Sequence, residues 1–141
     1  MRTLRLFALV NPVLALLTFA FWSGSTAAAD SMSGKWVSPG PSAAKKNPIA
    51  STQESVAGGQ KIYSKTCVMC HGKSGDADGP AVIELNIHPA KLSDPKLATE
   101  SDGALFWKIT TGKKPMPAYG KRLSETDRWN LVNYVRTLSK R

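Results

Sequence analysis

Only two cysteines occur in the 141 residues, Cys67 and Cys70. They stand three positions apart, and His71 follows directly. With no third thiol a disulfide framework is excluded, which leaves a single small disulfide or a cofactor. A thioredoxin-like pair would follow a strand in an α/β context, and no strand is predicted here. A structural zinc site needs four ligands, whereas the only imidazoles are His71 and His88, and Cys70 beside His71 makes tetrahedral closure awkward. Cys67-Val68-Met69-Cys70-His71 has instead the C-x-x-C-H form of covalent haem attachment. Thiols one helical turn apart reach two vinyl groups on neighbouring pyrroles, and His71 then presents its imidazole to the iron. The other ring nitrogen needs a partner, commonly a backbone carbonyl. Pro80 or a residue near it, in the loop Gly72–Pro80, is the candidate.

A six-coordinate electron carrier needs a second axial ligand. Of the four methionines, Met1 and Met32 precede the folded part, and Met69 sits inside the attachment turn. Met116 remains, in Gly112-Lys113-Lys114-Pro115-Met116-Pro117. Two flanking prolines lower the loop's conformational entropy and favour one approach to a weakly held iron. His88, followed by Pro89, is the rival ligand and Lys113 a weaker one. Both suit a surface or edge position better.

The N-terminus reads as an export signal over residues 1–29. Arg2 and Arg5 form a positive start, Leu6–Trp22 is a mostly apolar run of 17 residues, and Ala27-Ala28-Ala29 offers a small-x-small cleavage site. A spanning helix wants roughly 20 residues, so an uncleaved anchor is the lesser alternative. Removing Met1–Ala29 takes two arginines and no acid, so 17 basic and 10 acidic residues remain, a charge of +7. Residues 30–54 form a Pro/Ser/Lys-rich arm without helical or strand period. Trp36-Val37 and Pro48-Ile49 are apolar enough to dock on a neighbour, and the sequence leaves packing and mobility equally open. Residues 55–141 are the expected haem domain. So small a unit is marginal unless a large apolar group fills its centre.

Helices are expected around that centre. Val56–Thr66 leads into Cys67. Thr99–Thr111 carries Leu105, Phe106 and Ile109, with Thr99 and Asp102 as a capping pair and Gly112 as the stop. Trp107 suits either the cofactor face or the core. The last helix starts at Ser124, places Leu131, Tyr134, Val135 and Leu138 on one face, and ends with Arg136, Lys140 and Arg141. Tyr134 is expected against Gly59, where a missing side chain leaves room.

These motifs together resemble the class I cytochrome c family, and more narrowly its small bacterial monohaem members. The resemblance covers Ser55–Leu138. It rests on Gly59-x-x-x-Tyr63, Cys67-x-x-Cys70-His71-Gly72, Gly75, Gly79-Pro80, Ser101-Asp102-Gly103, the Met116 loop 45 residues after His71, and Trp129-x-Leu131-Val132-x-Tyr134-Val135. Asp76-Ala77-Asp78 departs from it, since relatives often have a glycine in the middle, and only a small loop change is expected. The resemblance implies an all-α cytochrome c fold, three to four main helices and loops around one haem c. The haem is joined by thioethers at Cys67 and Cys70, its iron is held by His71 and Met116, and one edge is exposed. With both axial positions filled, no iron site is open to substrate. An electron-transfer protein with no catalytic residue is therefore expected, not an enzyme or gas sensor. Location in the periplasm follows from the signal. Partners would be redox proteins, a donor and an acceptor with acidic docking surfaces meeting Lys73, Lys91, Lys113, Lys114 or Lys121, if those lysines are more than solvated surface. A role as haem subunit of a larger oxidoreductase stays open beside that of a soluble carrier. Nucleic acid is not an expected partner, and membrane contact requires that the N-terminal segment remain uncleaved.

Overall fold

The computed structural model of the chain describes residues 36–139. The signal reading, Met1 and Met32 lie outside the described residues. Those residues form α1 (Gly40–Ala43), α2 (Gln53–Thr66), α3 (Val68–His71), α4 (Ala81–Glu84), a 3-10 turn (Pro95–Thr99), α5 (Asp102–Thr111) and α6 (Glu125–Leu138). No strand occurs among them, so the fold is the all-α one expected.

Local chemistry sets the helix ends. The Thr52 hydroxyl accepts the Ser55 amide at 3.2 Å, so α2 begins three residues before the predicted Val56. Ser124 accepts the Asp127 amide at 3.0 Å and starts α6 where expected. The cap of α5 is Ser101, which accepts the Ala104 amide at 3.1 Å. Thr99 does not share in it, because it closes the preceding 3-10 turn. Gly112, at φ +60°, ends α5 in a conformation that a side chain disfavours.

The main crossing is α2 on α6. A Cβ at Gly59 would strike the Asn130 carbonyl and lie 2.8 Å from the Tyr134 Cβ, so two backbones meet where only glycine fits. Tyr63 then packs on Tyr134, with ring centroids 5.1 Å apart, and with Leu131 and Leu138 forms one half of the core. The other half joins α5 to α6. Phe106 stacks on Trp129 at 3.9 Å beside Leu105, Val132 and Val135. Burying each such aliphatic or aromatic side chain contributes roughly 1.5–3 kcal/mol. Arg136 does more than complement a helix dipole. It binds the Asp102 carboxylate at 2.7 Å, the Leu97 carbonyl at 3.0 Å and the Glu100 carbonyl, tying α6 to the entry of α5.

The arm packs on this framework from Trp36 onward. The Ser101 hydroxyl donates to the Ala43 carbonyl at 2.5 Å, and α1 crosses α5 so closely that a Cβ at Gly103 would meet the carbonyls of Ser42, Ala43 and Lys45. Lys45 pairs with Glu125 at 2.7 Å and lies over the Phe106 ring. Asn133, buried in α6, accepts from the Asn47 amide group at 2.8 Å and donates to the carbonyls of Ile49 and Ala50. Ile49 packs against the Phe106–Trp129 half of the core.

Candidate haem site

The attachment segment is a single tight turn. Cys67 is both the last cap of α2 and the first of α3, with its amide bonded to the Tyr63 carbonyl at 2.9 Å. The amides of Cys70 and His71 both return to the Cys67 carbonyl, at 3.1 and 2.9 Å. Both cysteines are half-buried, and no disulfide joins them. Burial pushes the Cys67 thiol above its ordinary pKa. The Thr66 hydroxyl donates to the Ile62 carbonyl at 2.9 Å and sits 3.3 Å from the Cys67 sulfur.

His71 Nδ1 lies 2.9 Å from the Ala90 carbonyl. A carbonyl only accepts, so Nδ1 carries the hydrogen and the Nε2 lone pair is left free. Burial lowers the imidazole pKa and the Ala90 carbonyl partly opposes that, so the ring is neutral near pH 7, the form that binds a metal. The partner is therefore Ala90 and not the expected region near Pro80. The Gly72–Pro80 loop instead folds back on the motif's own backbone, with the Ala77 amide on the His71 carbonyl at 2.9 Å and the Gly79 amide on the Cys70 carbonyl at 3.3 Å. Ala77 takes φ +62°, the left-handed conformation that a glycine would adopt freely.

A cleft opens beside this turn in two lobes of about 120 and 400 Å³. Six residues wall both lobes: Trp36, Cys67, His71, Ala90, Met116 and Tyr119. The smaller lobe is apolar, with Tyr63, Leu92, Leu97, Leu105, Ile109, Leu131 and Val135 around it and one ion pair, Lys108 with Glu100 at 2.5 Å. The larger lobe is the rim, with Cys70, Leu85, Ile87, His88, Pro89 and the loop from Lys113 to Pro117. Met116 is half-buried and held in a closed turn, its amide on the Lys113 carbonyl at 2.8 Å and its carbonyl receiving the Lys113 amide at 3.1 Å. The four predicted site residues thus meet at one cleft. His88 reaches only the rim lobe and is exposed.

Of the lysines considered for docking, Lys113 and Lys114 lie at the rim, and Lys91 pairs with Asp76 at 3.3 Å. Sequence reasoning did not single out three residues at the site. Tyr119 walls both lobes and donates to the Thr66 carbonyl at 3.0 Å. Tyr63 donates to the Gly72 carbonyl at 2.7 Å, behind the motif. Trp36 supplies an aromatic wall to the cleft, and Trp107, which suited either the cofactor face or the core, packs against it at 6.1 Å and does not line the cleft. An apolar slot bordered by two thiols, a neutral imidazole and a thioether fits a covalently held haem. No group of three or more His, Cys, Asp or Glu suited to a bare metal ion occurs among the described residues.

An all-α fold with a C-x-x-C-H turn and a methionine loop on one apolar cleft defines a c-type cytochrome. The family model described as "Cytochrome C oxidase, cbb3-type, subunit III" matches residues 54–135, more than half of the 141, and the chain belongs to this family of class I c-type cytochromes. Cytochrome c6 of Alaria esculenta is 35% identical over 81 residues, which cover 57% of this chain and 88% of that protein. Cytochrome c6 of Synechococcus sp. is 32% identical over 80 residues, covering 57% and 67%. Among solved structures, a chain of the Kuenenia stuttgartiensis reducing HAO-like protein complex is similar with a TM-score of 0.57 and 34% identity. The match covers 64% of this chain but only 46% of that one. Membership implies covalently bound haem c and haem-based electron transfer. Among the described residues no helix is long and apolar enough to cross a membrane.

Proposed function

We propose that the chain is a monohaem, one-electron carrier working in the periplasm, with haem c joined at Cys67 and Cys70 and its iron held by His71 and Met116. The observation that carries this reading is the shared wall of the two lobes, where Cys67 and His71 of the attachment turn meet Met116 from the loop after α5. Cys67 and Cys70 would hold the haem through thioethers, each formed by addition of S–H across a vinyl double bond, which would need no oxidant. Bound haem supplies a ferric–ferrous couple that takes up and releases one electron. The protein's part is to hold the ring. Ala90 fixes the His71 tautomer, the Lys113–Met116 turn fixes the thioether, and the apolar lobe excludes water.

With two protein ligands no iron position is open to substrate, which favours a carrier over an enzyme. A Met ligand raises the potential relative to two histidines. The exposed lysines at the rim, Lys113 and Lys114, suit a partner with acidic residues. The test is the optical spectrum of the purified holoprotein. The weak long-wavelength band of thioether-ligated ferric haem is expected, together with loss of that band and gain of CO binding in Met116→Ala. A wild type that lacks the band and binds CO readily would refute His/Met ligation.

A further inference from the structure

Of the six residues that wall both lobes of the cleft, four belong to the attachment turn, the Met116 loop or the carbonyl that holds His71, and a fifth, Tyr119, follows that loop two residues on. The sixth, Trp36, comes from the arm and lies 18 positions before the start of the family match at residue 54. It is not a loose end resting on the opening. Trp107 backs its ring at 6.1 Å, and the Lys108 ammonium lies 5.7 Å from its centroid. Lys108 is itself fixed by Glu100, with both carboxylate oxygens at 2.5–2.6 Å, and this pair borders the apolar lobe. Behind Trp36 the arm is pinned at Ala43 by Ser101, at Lys45 by Glu125, and at both Asn47 and Ile49 by Asn133.

A wall of this kind has an electrostatic consequence. Ferric haem carries one more positive charge than ferrous haem, so water near the ring favours the ferric state and an indole in its place favours the ferrous one. The Lys108 ammonium beside the indole is paired with the Glu100 carboxylate, so the pair adds no net charge and the effect rests on the exclusion of water.

We propose that Trp36 is a positioning residue of the haem cleft, delivered by the arm, whose task is to keep water from the ring and so raise its reduction potential. The inference rests on the haem reading given above. The arm is then part of the redox site and not a tether outside it.

The experiment is an equilibrium redox titration of full-length holoprotein, comparing wild type, W36A and W36F. W36A is expected to show about a tenfold lower ferrous-to-ferric ratio at fixed solution potential, equivalent to about 59 mV for one electron. Its long-wavelength ferric band should persist, so that the shift is not a lost Met116 ligand. W36F, which keeps an aromatic wall, should titrate with the wild type. If W36A titrates with the wild type while losing only thermal stability, Trp36 is a packing residue and the proposal is overturned. If W36A yields no holoprotein, W36Q, whose polar side chain brings water to the wall, takes its place, and an unshifted titration there overturns the proposal equally. The covalent haem content of the wild type separates the two readings. Absence of haem there removes the proposed function, and this inference with it, whereas haem with no W36A shift removes this inference alone.

Discussion

Tyr63→Phe isolates one hydrogen bond at the foot of the haem site. The Tyr63 ring is 1% exposed and leans on Tyr134, and its hydroxyl donates at 2.7 Å to the carbonyl of Gly72, the residue after His71. The substitution keeps the ring and removes the donor. An orphaned buried acceptor costs about 1–3 kcal/mol. The Gly72 carbonyl keeps a long bond from the Gly75 amide at 3.4 Å, which places the loss in the lower half, about 1–2 kcal/mol. For a domain of this size each kcal/mol lowers Tm by about 4–8 °C. Guanidinium unfolding of the holoprotein, followed by far-ultraviolet circular dichroism, should show a lower midpoint with unchanged slope. A loss under about 0.5 kcal/mol would mean that the hydroxyl contributes nothing net, and one above about 3 kcal/mol that the ring itself has moved. A second signature lies at high pH. Burial above all pushes the Tyr63 phenol well above its ordinary value. A group whose pKa is raised on folding contributes stability that is complete below its unfolded pKa, near 10, and is lost as pH rises beyond it. Tyr63→Phe should therefore flatten the alkaline decline in stability. An unchanged alkaline limb would refute the burial argument.

Gly59→Ala should force α2 and α6 apart, because the new methyl meets the Asn130 backbone and not a yielding side chain. A loss at or above the upper end of about 1–3 kcal/mol is expected from thermal unfolding. Ala77→Gly should stabilise by roughly 0.5–1 kcal/mol, the ~1–2 kcal/mol of left-handed strain less the ~0.4–1 kcal/mol of added unfolded-state entropy, and a Tm that falls would refute this. The Ser93 hydroxyl and Lys91 hold the Asp76 carboxyl below the usual carboxylate range, and Lys45 and Trp129 do the same for Glu125. Depressed pKa values contribute stability that is present above the ordinary carboxylate pKa and lost as pH falls through the lower folded value. The double variant D76N/E125Q should accordingly show a shallower acid decline in unfolding midpoint than the wild type.

What could be read from sequence was chiefly what neighbours in sequence decide. The motif turn, the Ser124 cap, the Gly112 stop and the buried face Leu131, Tyr134, Val135 and Leu138 all depend on spacings of a few residues. The Gly59–Tyr134 contact was also legible, because a glycine pair inside a helix has few other uses. Longer-range choices were not. The His71 partner turned out to be Ala90, 19 residues away, since any carbonyl would satisfy the ring and only the path of the loop selects one. Trp107 was read as facing either the cofactor or the core, and Trp36 only as a residue able to dock; that Trp36 walls the cleft depends on the arm's packing, which a segment without period does not reveal. Ser101 displaced Thr99 as a cap because Pro95 and Asp94 start a separate 3-10 turn that uses Thr99 up.

The bond from His71 to Ala90 also bears on the order in which the site assembles. It closes a loop of 19 residues, whereas bringing Met116 to the same cleft closes one of 45. Chain-closure entropy grows with the logarithm of loop length, and this difference is about 0.8 kcal/mol in favour of the shorter loop. The histidine side also begins from a turn already formed, with the motif's amides gathered on the Cys67 carbonyl. Closure entropy therefore favours fixing the imidazole over bringing Met116 to the cleft, and opening the Met116 loop releases more chain entropy than opening the loop to Ala90.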